Sequence, residues 1–125
     1  MNSANVLAVV TGRAGSITLY ELQEPVAVLV VATGAISLRM IRREIDRVSE
    51  FAHDHPQGWC YLGDVRLVRL LNPWNVIALR RIGRLPGVST RVIVVPRFAR
   101  WLGLIAIGEL TTSVEDALAR CRRSP

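Results

Sequence analysis

The segment Gly58–Leu85 constrains the fold most, because it joins a buried strand to the start of a helix. Trp59–Val65 is mostly apolar at successive positions and rich in aromatic and branched residues, a pattern typical of a strand that is buried on both faces. A basic turn is predicted to follow. Asn72 can then cap a helix that begins at Pro73, where the missing N–H group costs nothing.

The end of this strand and the start of this helix are where we look for function. In α/β folds, a strand that runs into a helix N-terminus often holds phosphate, a partner or catalytic groups. Asp64 can be a functional carboxylate or the hydrogen-bond partner of the adjacent loop. The second interpretation is favoured because buried acids need partners. Trp74 can be an exposed docking residue or a core residue, and the sequence leaves both open.

The first third of the chain predicts a hairpin, a strand and a helix. Asn5–Val10 and Ser16–Leu22 are β-prone runs separated by a glycine-containing gap, which indicates a β-hairpin. Val26–Val31 is predicted to be a buried strand that ends at the following Thr-Gly pair. Ser37 can cap a helix over Leu38–Ala52, where apolar residues recur at spacings of three and four. The solvated face of that helix is predicted to comprise Arg39, Arg42, Arg43, Asp46, Arg47 and Glu50.

Later segments continue the alternation of strands and helices. We expect the second helix to bury a stripe formed by Trp74, Ile77, Ala78, Ile82 and Leu85. The remaining predicted elements are a strand at Thr90–Val95, a helix at Arg97–Ile107, an edge strand at Leu110–Thr112 and a last helix capped by Ser113. The alternation predicts one α/β domain over residues 1–125, with a hairpin at 5–22, a core at 26–121 and mostly parallel strands.

Composition narrows the functional classes. The chain has 125 residues, is half apolar and carries a formal charge of +6, with sixteen basic residues that are all arginine. These arginines are spread along the chain without interleaved aromatics, which argues against nucleic-acid binding and leaves an acidic protein surface as a partner. The apolar runs are shorter than the ~18–20 residues of a membrane span, and no basic region precedes the first of them, so we expect neither a membrane span nor a signal peptide.

Two cysteines are too few for a disulfide framework. Cys60 is interpreted as a small apolar residue of a buried strand, and both thiols are expected to be reduced in a cytoplasmic protein. His53 and His55 with Cys60 do not form a zinc ligand set, so no metal site is predicted.

The sequence carries no local catalytic signature. No serine, cysteine or histidine is placed as a nucleophile with its base, and no paired acidic motif is present. We therefore expect a protein that is not an enzyme and needs no cofactor. The N–H groups of Asn75 and Val76, near Arg66 and Arg69, could hold an anion, although no glycine-rich loop accompanies them.

Four stretches together resemble the STAS family, the fold of anti-sigma-factor antagonists. They are VLVVATGAISLRMIRREIDRV, DVRLVRLLNPWNVIAL, GVSTRVIVV and WLGLIAIGELTTSVEDAL, which span about Val26 to Cys121. The resemblance implies a four- to five-stranded mixed sheet, mostly parallel, with about four helices mainly on one face. It also implies a non-catalytic switch and docking module that binds an anti-sigma kinase or a related partner.

The family's switch motif is altered in this chain. Its Asp-Ser-Ser/Thr-Gly positions correspond to Asn72, Pro73, Trp74 and Asn75. Pro73 and Trp74 have no hydroxyl group, so phosphorylation at those positions is chemically impossible, while Asn72 retains the capping ability. A related STAS/SEC14-like branch of small bacterial proteins also lacks this serine and is similar in that respect.

Two functions are consistent with these observations. The first is a STAS-like regulatory module that docks a protein partner or a second copy of itself. Its predicted surface comprises Asp64, Arg66, Arg69, Asn72, Pro73, Trp74 and Asn75. The second is a carrier of a small ligand, a lipid or a nucleotide, with a pocket under a helix that is apolar on nearly every face. The predicted pocket residues are Phe98, Trp101, Leu102 and Ile105.

Overall fold

The computed structural model of the chain describes residues 5–97 and 108–123. Its elements are β1 (Asn5–Thr11), β2 (Gly15–Gln23), β3 (Val26–Ile36), α1 (Leu38–Asp54), β4 (Trp59–Leu71), α2 (Pro73–Val76), a 3₁₀ helix (Ile77–Arg84), β5 (Val88–Val94), β6 (Glu109–Thr111) and α3 (Val114–Arg123).

The strands form one mixed sheet in the order β1-β2-β3-β4-β5-β6. Pairing is antiparallel between β1 and β2 and between β2 and β3, and parallel from β3 through β6. The predicted α/β class and the N-terminal hairpin are confirmed. The described part of the sheet has six strands instead of the four to five expected, because β1 and β6 both extend it.

Alternating side chains divide the buried residues into two cores. Trp59 and Tyr61 of β4 pack with α1 and the 3₁₀ helix on one face of the sheet. Cys60 and Leu62 of the same strand pack with α3 on the other face. A strand places successive side chains on opposite faces, so an apolar strand that lies between two helical layers must be apolar at every position.

Helix α1 confirms the predicted helix and its cap. The Ser37 hydroxyl accepts a hydrogen bond from the backbone N–H of Met40 at 3.2 Å. Ile41, Ile45, Val48 and Ala52 of the predicted stripe are buried. Glu44 is also buried, at 3% exposure, and belongs to neither of the predicted faces of the helix.

Strands β3 and β4 run further than predicted. The expected basic turn after Val65 is strand as far as Leu71, and the Thr33-Gly34 pair does not end β3. Gly34 has φ +78°, and a Cβ there would lie 2.3 Å from the carbonyl oxygen of Ala14. Only glycine fits at position 34, because the backbone of Ala14 lies so close, and β3 continues past it. The pairing of β3 with β4 also continues, with two register shifts.

The second predicted helix is shorter and differently wound. Helix α2 has four residues, and the chain then tightens into the 3₁₀ helix. The change from 3.6 to 3.0 residues per turn rotates later side chains relative to earlier ones. As a result, Ile82 of the predicted stripe is fully buried, whereas Trp74 is 79% exposed, so the interpretation of Trp74 as a core residue is wrong.

The C-terminal elements agree with the sequence where they are described. Strand β6 lies one residue from the predicted edge strand, and the hydroxyl of Ser113 accepts from the N–H of Asp116 at the start of α3. The predicted helix Arg97–Ile107 lies outside the described residues, apart from Arg97 itself. No helix of the described ranges has the length and apolar character needed to cross a membrane.

The expectation of two reduced cysteines is wrong. Cys60 of β4 and Cys121 of α3 form a disulfide with their Cα atoms 6.0 Å apart, inside the core on the α3 face. A count of cysteines could not predict this bond, because it depends on α3 crossing the face of the sheet directly over β4.

We expect this disulfide to contribute about 4 kcal/mol to the free energy of unfolding, by the loop-closure entropy of a 61-residue separation. Urea denaturation with and without a reducing agent measures the difference. The double variant Cys60→Ala/Cys121→Ala should match the reduced protein to within the cost of the altered side chains. Alkylation of both cysteines in denatured, unreduced protein would contradict the assignment, since the chain has no other cysteine.

Candidate functional site

A cavity of about 1110 Å³ opens at the carboxyl ends of β3 and β4. Its walls come from the turn between β1 and β2, the end of β3, the first turns of α1, the end of β4 and the start of α2. In open α/β sheets, the carboxyl ends of parallel strands are where ligands bind. The volume is comparable to the ~300–1000 Å³ of known small-molecule sites.

Three arginines face this cavity from two segments. Arg13 lies in the turn between β1 and β2, and Arg39 and Arg43 lie one helical turn apart on α1. Within the described ranges, none of the three forms an ion pair or a side-chain hydrogen bond. None of the lining residues that the structure describes is acidic. The cavity therefore carries a positive charge that the surrounding residues do not neutralise.

The N-terminus of α1 adds to this positive potential. Ser37, the capping residue, lines the cavity together with Arg39. A helix of seventeen residues carries a partial positive charge at its N-terminus, which favours an anion there. The helix dipole and the arginine side chains thus act in the same direction.

Close backbone packing holds Arg13 in place. The backbone N–H of Ala35 donates to the carbonyl oxygen of Ala14 at 3.0 Å. A Cβ at Gly12 would lie 2.5 Å from the sulfur of Met40, so the turn lies directly on α1. Arg13 therefore projects from a turn that is fixed against both β3 and α1.

Apolar residues complete the lining. Met40 is buried, whereas Leu70 and Trp74 lie at the rim with 70% and 79% of their surfaces exposed. The Asn72 side chain accepts from the backbone N–H of Trp74 at 2.9 Å, which confirms Asn72 as a cap. The cavity thus combines a cationic region with an exposed aromatic ring.

The sequence-predicted docking residues fall into two groups. Asn72 and Trp74 line the cavity. Asp64 is instead 8% exposed and accepts two hydrogen bonds from the Arg66 guanidinium, at 3.0 and 2.8 Å, and one from the Arg66 backbone N–H at 3.1 Å. This hydrogen bonding raises the pKa of Arg66. The Arg66 side chain is therefore paired with Asp64. This agrees with the favoured interpretation of Asp64 as a hydrogen-bond partner of the adjacent residues.

The remaining predicted residues lie at the end of β4 and the start of α2, where the backbone N–H of Asn75 was one candidate donor to an anion. The N–H of Asn75 donates to the carbonyl oxygen of Asn72 at 2.9 Å, so it is already used. Arg69 is exposed near the end of β4, and Pro73 begins α2. The pocket residues predicted for the second hypothesis lie outside the described ranges; they are Phe98, Trp101, Leu102 and Ile105.

Sequence reasoning missed the three cavity arginines. Arg39 and Arg43 were assigned to a solvated helix face, and Arg13 to a hairpin loop. Their spacing of four residues just after a helix cap was a usable signal for the first two. No local signal places the turn that holds Arg13 beside that helix, since the contact joins segments that are distant in sequence.

A second polar cluster holds α3 against β6. Asp116 accepts from the Thr111 hydroxyl at 2.6 Å and from the Arg120 guanidinium at 2.9 Å, and these interactions, the Thr111 bond foremost, lower the pKa of Asp116. Arg120 also donates to the carbonyl oxygen of Leu110 at 3.1 Å. These groups are partnered with one another, which indicates a structural role. No three His, Cys, Asp or Glu side chains of residues 5–97 and 108–123 lie close enough to hold a metal ion.

Glu44 and Tyr61 form a buried polar pair between α1 and β4. The Tyr61 hydroxyl donates to the Glu44 carboxyl group. Burial raises the pKa of Glu44 from 4.5 to about 7, although the hydrogen bond from Tyr61 partly offsets this. Burial, together with the neighbouring Glu44, also raises the pKa of Tyr61. Glu44 therefore changes its protonation state near neutral pH inside the core.

Comparison with known proteins gives no relative: no protein-family model matches the sequence, and a search of curated proteins finds no significant match. Function must therefore be argued from the site itself.

We expect Glu44→Gln to change how stability depends on pH. Because the folded pKa of Glu44 lies above the unfolded value, the folded state binds more protons between pH 4.5 and about 7. Stability is thus lost as pH rises through this range, by roughly 3 kcal/mol in total. Glutamine stays neutral and can still accept from Tyr61, so the variant should gain stability relative to the wild type as pH rises.

Chemical denaturation across this pH range measures the effect. Glu50→Gln is the matched control on the same helix, since Glu50 is exposed and makes only a surface pair with Arg47. Its stability should stay within tenths of a kcal/mol of the wild type. If the Glu44→Gln and wild-type curves run parallel, the carboxyl group does not titrate as described.

Proposed function

We propose that the protein is a non-catalytic binding module that captures a small anionic ligand in the cavity at the carboxyl ends of β3 and β4. The observation that carries this proposal is that one concave site is lined by three arginine side chains that have no ion-pair or side-chain hydrogen-bond partner among residues 5–97 and 108–123. Guanidinium groups form short, charge-assisted hydrogen bonds in a fixed geometry that suits carboxylates and phosphates.

The three cavity arginines are exposed to solvent, and their shared positive charge favours an anion at this site. Like charges that share a site repel one another, and the N-terminus of α1 adds positive potential at the same place. A ligand with negative charge relieves this repulsion. Arg42 and Arg47 lie on the same helix but do not line the cavity, and Arg47 pairs with Glu50 at 3.3 Å.

Titration calorimetry with inorganic pyrophosphate tests the proposal. Arg13→Gln, Arg39→Gln and Arg43→Gln should each weaken binding about 10- to 100-fold, the loss expected for one charge-assisted hydrogen bond. Arg42→Gln and Arg47→Gln remove the same charge from the other faces of α1 and should change affinity by less than about threefold. Absence of binding to the wild type, or equal losses in the control variants, would contradict the proposal.

A second candidate is the STAS-like interaction module, in which the end of β4 and the start of α2 dock a protein with an acidic surface. The observation that favours it is the exposure of Leu67, Leu70 and Trp74, at 66%, 70% and 79%, around the exposed Arg69. Tryptophan and arginine are enriched among the residues that dominate the energetics of interfaces, and a net charge of +6 favours an acidic partner.

The double variant Leu67→Ser/Arg69→Glu tests this second candidate, because neither residue lines the cavity. Partners recovered from the native host should bind it at least about 10-fold more weakly than the wild type in a surface-based affinity measurement. Arg42→Gln serves as the control for loss of charge. Unchanged affinity of every recovered partner for the double variant would remove this docking surface.

A further inference from the structure

We infer that the ligand of the cavity is a phosphate ester that carries a planar aromatic ring, the class to which nucleoside monophosphates belong. This inference rests on the proposed capture of an anion, and it names the chemistry of the part of the ligand that is not charged. It combines the charge of the cavity, its size and the position of Trp74.

The charge of the cavity suits a phosphate ester. A phosphate ester carries close to two negative charges at neutral pH and offers three acceptor oxygens. Arg13, Arg39 and Arg43 supply three guanidinium groups, and α1 supplies its N-terminus. A single carboxylate would leave most of that charge unneutralised.

The cavity has room for more than an inorganic anion. A phosphate group displaces only a few water molecules, of about 30 Å³ each, whereas the cavity measures about 1110 Å³. The lining contributed by the end of β4 and the start of α2 includes Leu70 and Trp74, which offer no charge to bind. The rest of the ligand is therefore expected to be uncharged and at least partly apolar.

The placement of Trp74 identifies that part as a flat ring. Tryptophan is highly buried on average, yet Trp74 is 79% exposed at the rim of the site. Its backbone is fixed by the Asn72 cap, so the indole is presented by an ordered turn. Stacking of one base on an aromatic side chain corresponds to roughly 5- to 150-fold in affinity and needs no specific hydrogen bonds.

A single ring is favoured over a nucleic-acid strand. Proteins that bind single strands use several aromatic side chains along a basic groove. Within residues 5–97 and 108–123, Trp74 is the only tryptophan, tyrosine or phenylalanine that is largely exposed. One ring beside one cationic pocket is the arrangement that a mononucleotide-sized ligand requires.

Titration calorimetry with the intact chain tests the inference. The probes are AMP, GMP, UMP and flavin mononucleotide, with ribose 5-phosphate as the phosphate ester that lacks a ring. We expect at least one ring-bearing ester to bind about 10-fold more tightly than ribose 5-phosphate. Trp74→Leu, which keeps an apolar side chain but removes the ring, should abolish this preference, so that this variant binds ring-bearing esters and ribose 5-phosphate with affinities within about twofold of one another. Leu67→Ala is the control for an exposed apolar residue outside the cavity.

The outcomes separate this inference from the proposal on which it depends. If pyrophosphate and ribose 5-phosphate bind and need Arg39 and Arg43, but no ring-bearing ester binds more tightly, the anion site stands and the aromatic ligand is wrong. If no phosphorylated probe binds, both fail. A thymidine oligonucleotide that binds more tightly than every mononucleotide would also overturn the inference, in favour of a strand-binding surface.

Discussion

The fold depends on the burial of β4 on both faces. From Cys60 to Asp64 this strand is paired with β3 on one side and with β5 on the other. Its side chains alternate between two cores, and Trp59 and Leu62 are almost completely buried. Burial of each of these side chains stabilises the folded state by roughly 2 kcal/mol or more. Helix α1 and the 3₁₀ helix must then cover one face, and α3 the other. Past Asp64 the pairing with β5 ends, while pairing with β3 continues to Leu71. This extension supplies one wall of the cavity.

Elements set by local rules were predictable from the sequence. Helix α1 follows from its apolar spacing and the Ser37 cap, and the hairpin follows from two β-prone runs around a glycine-containing gap. Predictions failed where distant segments decide the outcome. Gly34 lies within a strand because of its contact with Ala14, and Trp74 is exposed because the following residues wind as a 3₁₀ helix. The cavity is formed by the turn between β1 and β2, the start of α1 and the end of β4. No local sequence pattern predicts that these segments lie together.

Adjacent residues of α1 have opposite electrostatic environments. A helix rotates by about 100° per residue, so Arg43 faces the cavity while Glu44 enters the core. Arg43 is exposed to solvent, whereas burial shifts Glu44 toward its neutral form. The Tyr61 hydroxyl satisfies the carboxyl group, so the core tolerates a polar residue without an ion pair. The positive potential of the cavity is consequently not cancelled by the nearest carboxyl group in sequence.

The disulfide connects α3 mechanically to the strand that forms one wall of the cavity. Cys121 attaches α3 covalently to Cys60, and from there β4 runs without interruption to Leu70 at the cavity wall. That stretch of strand covers roughly 30 Å. A load applied to α3 therefore reaches the backbone of β4 through a covalent bond and travels along a single strand to the ligand site.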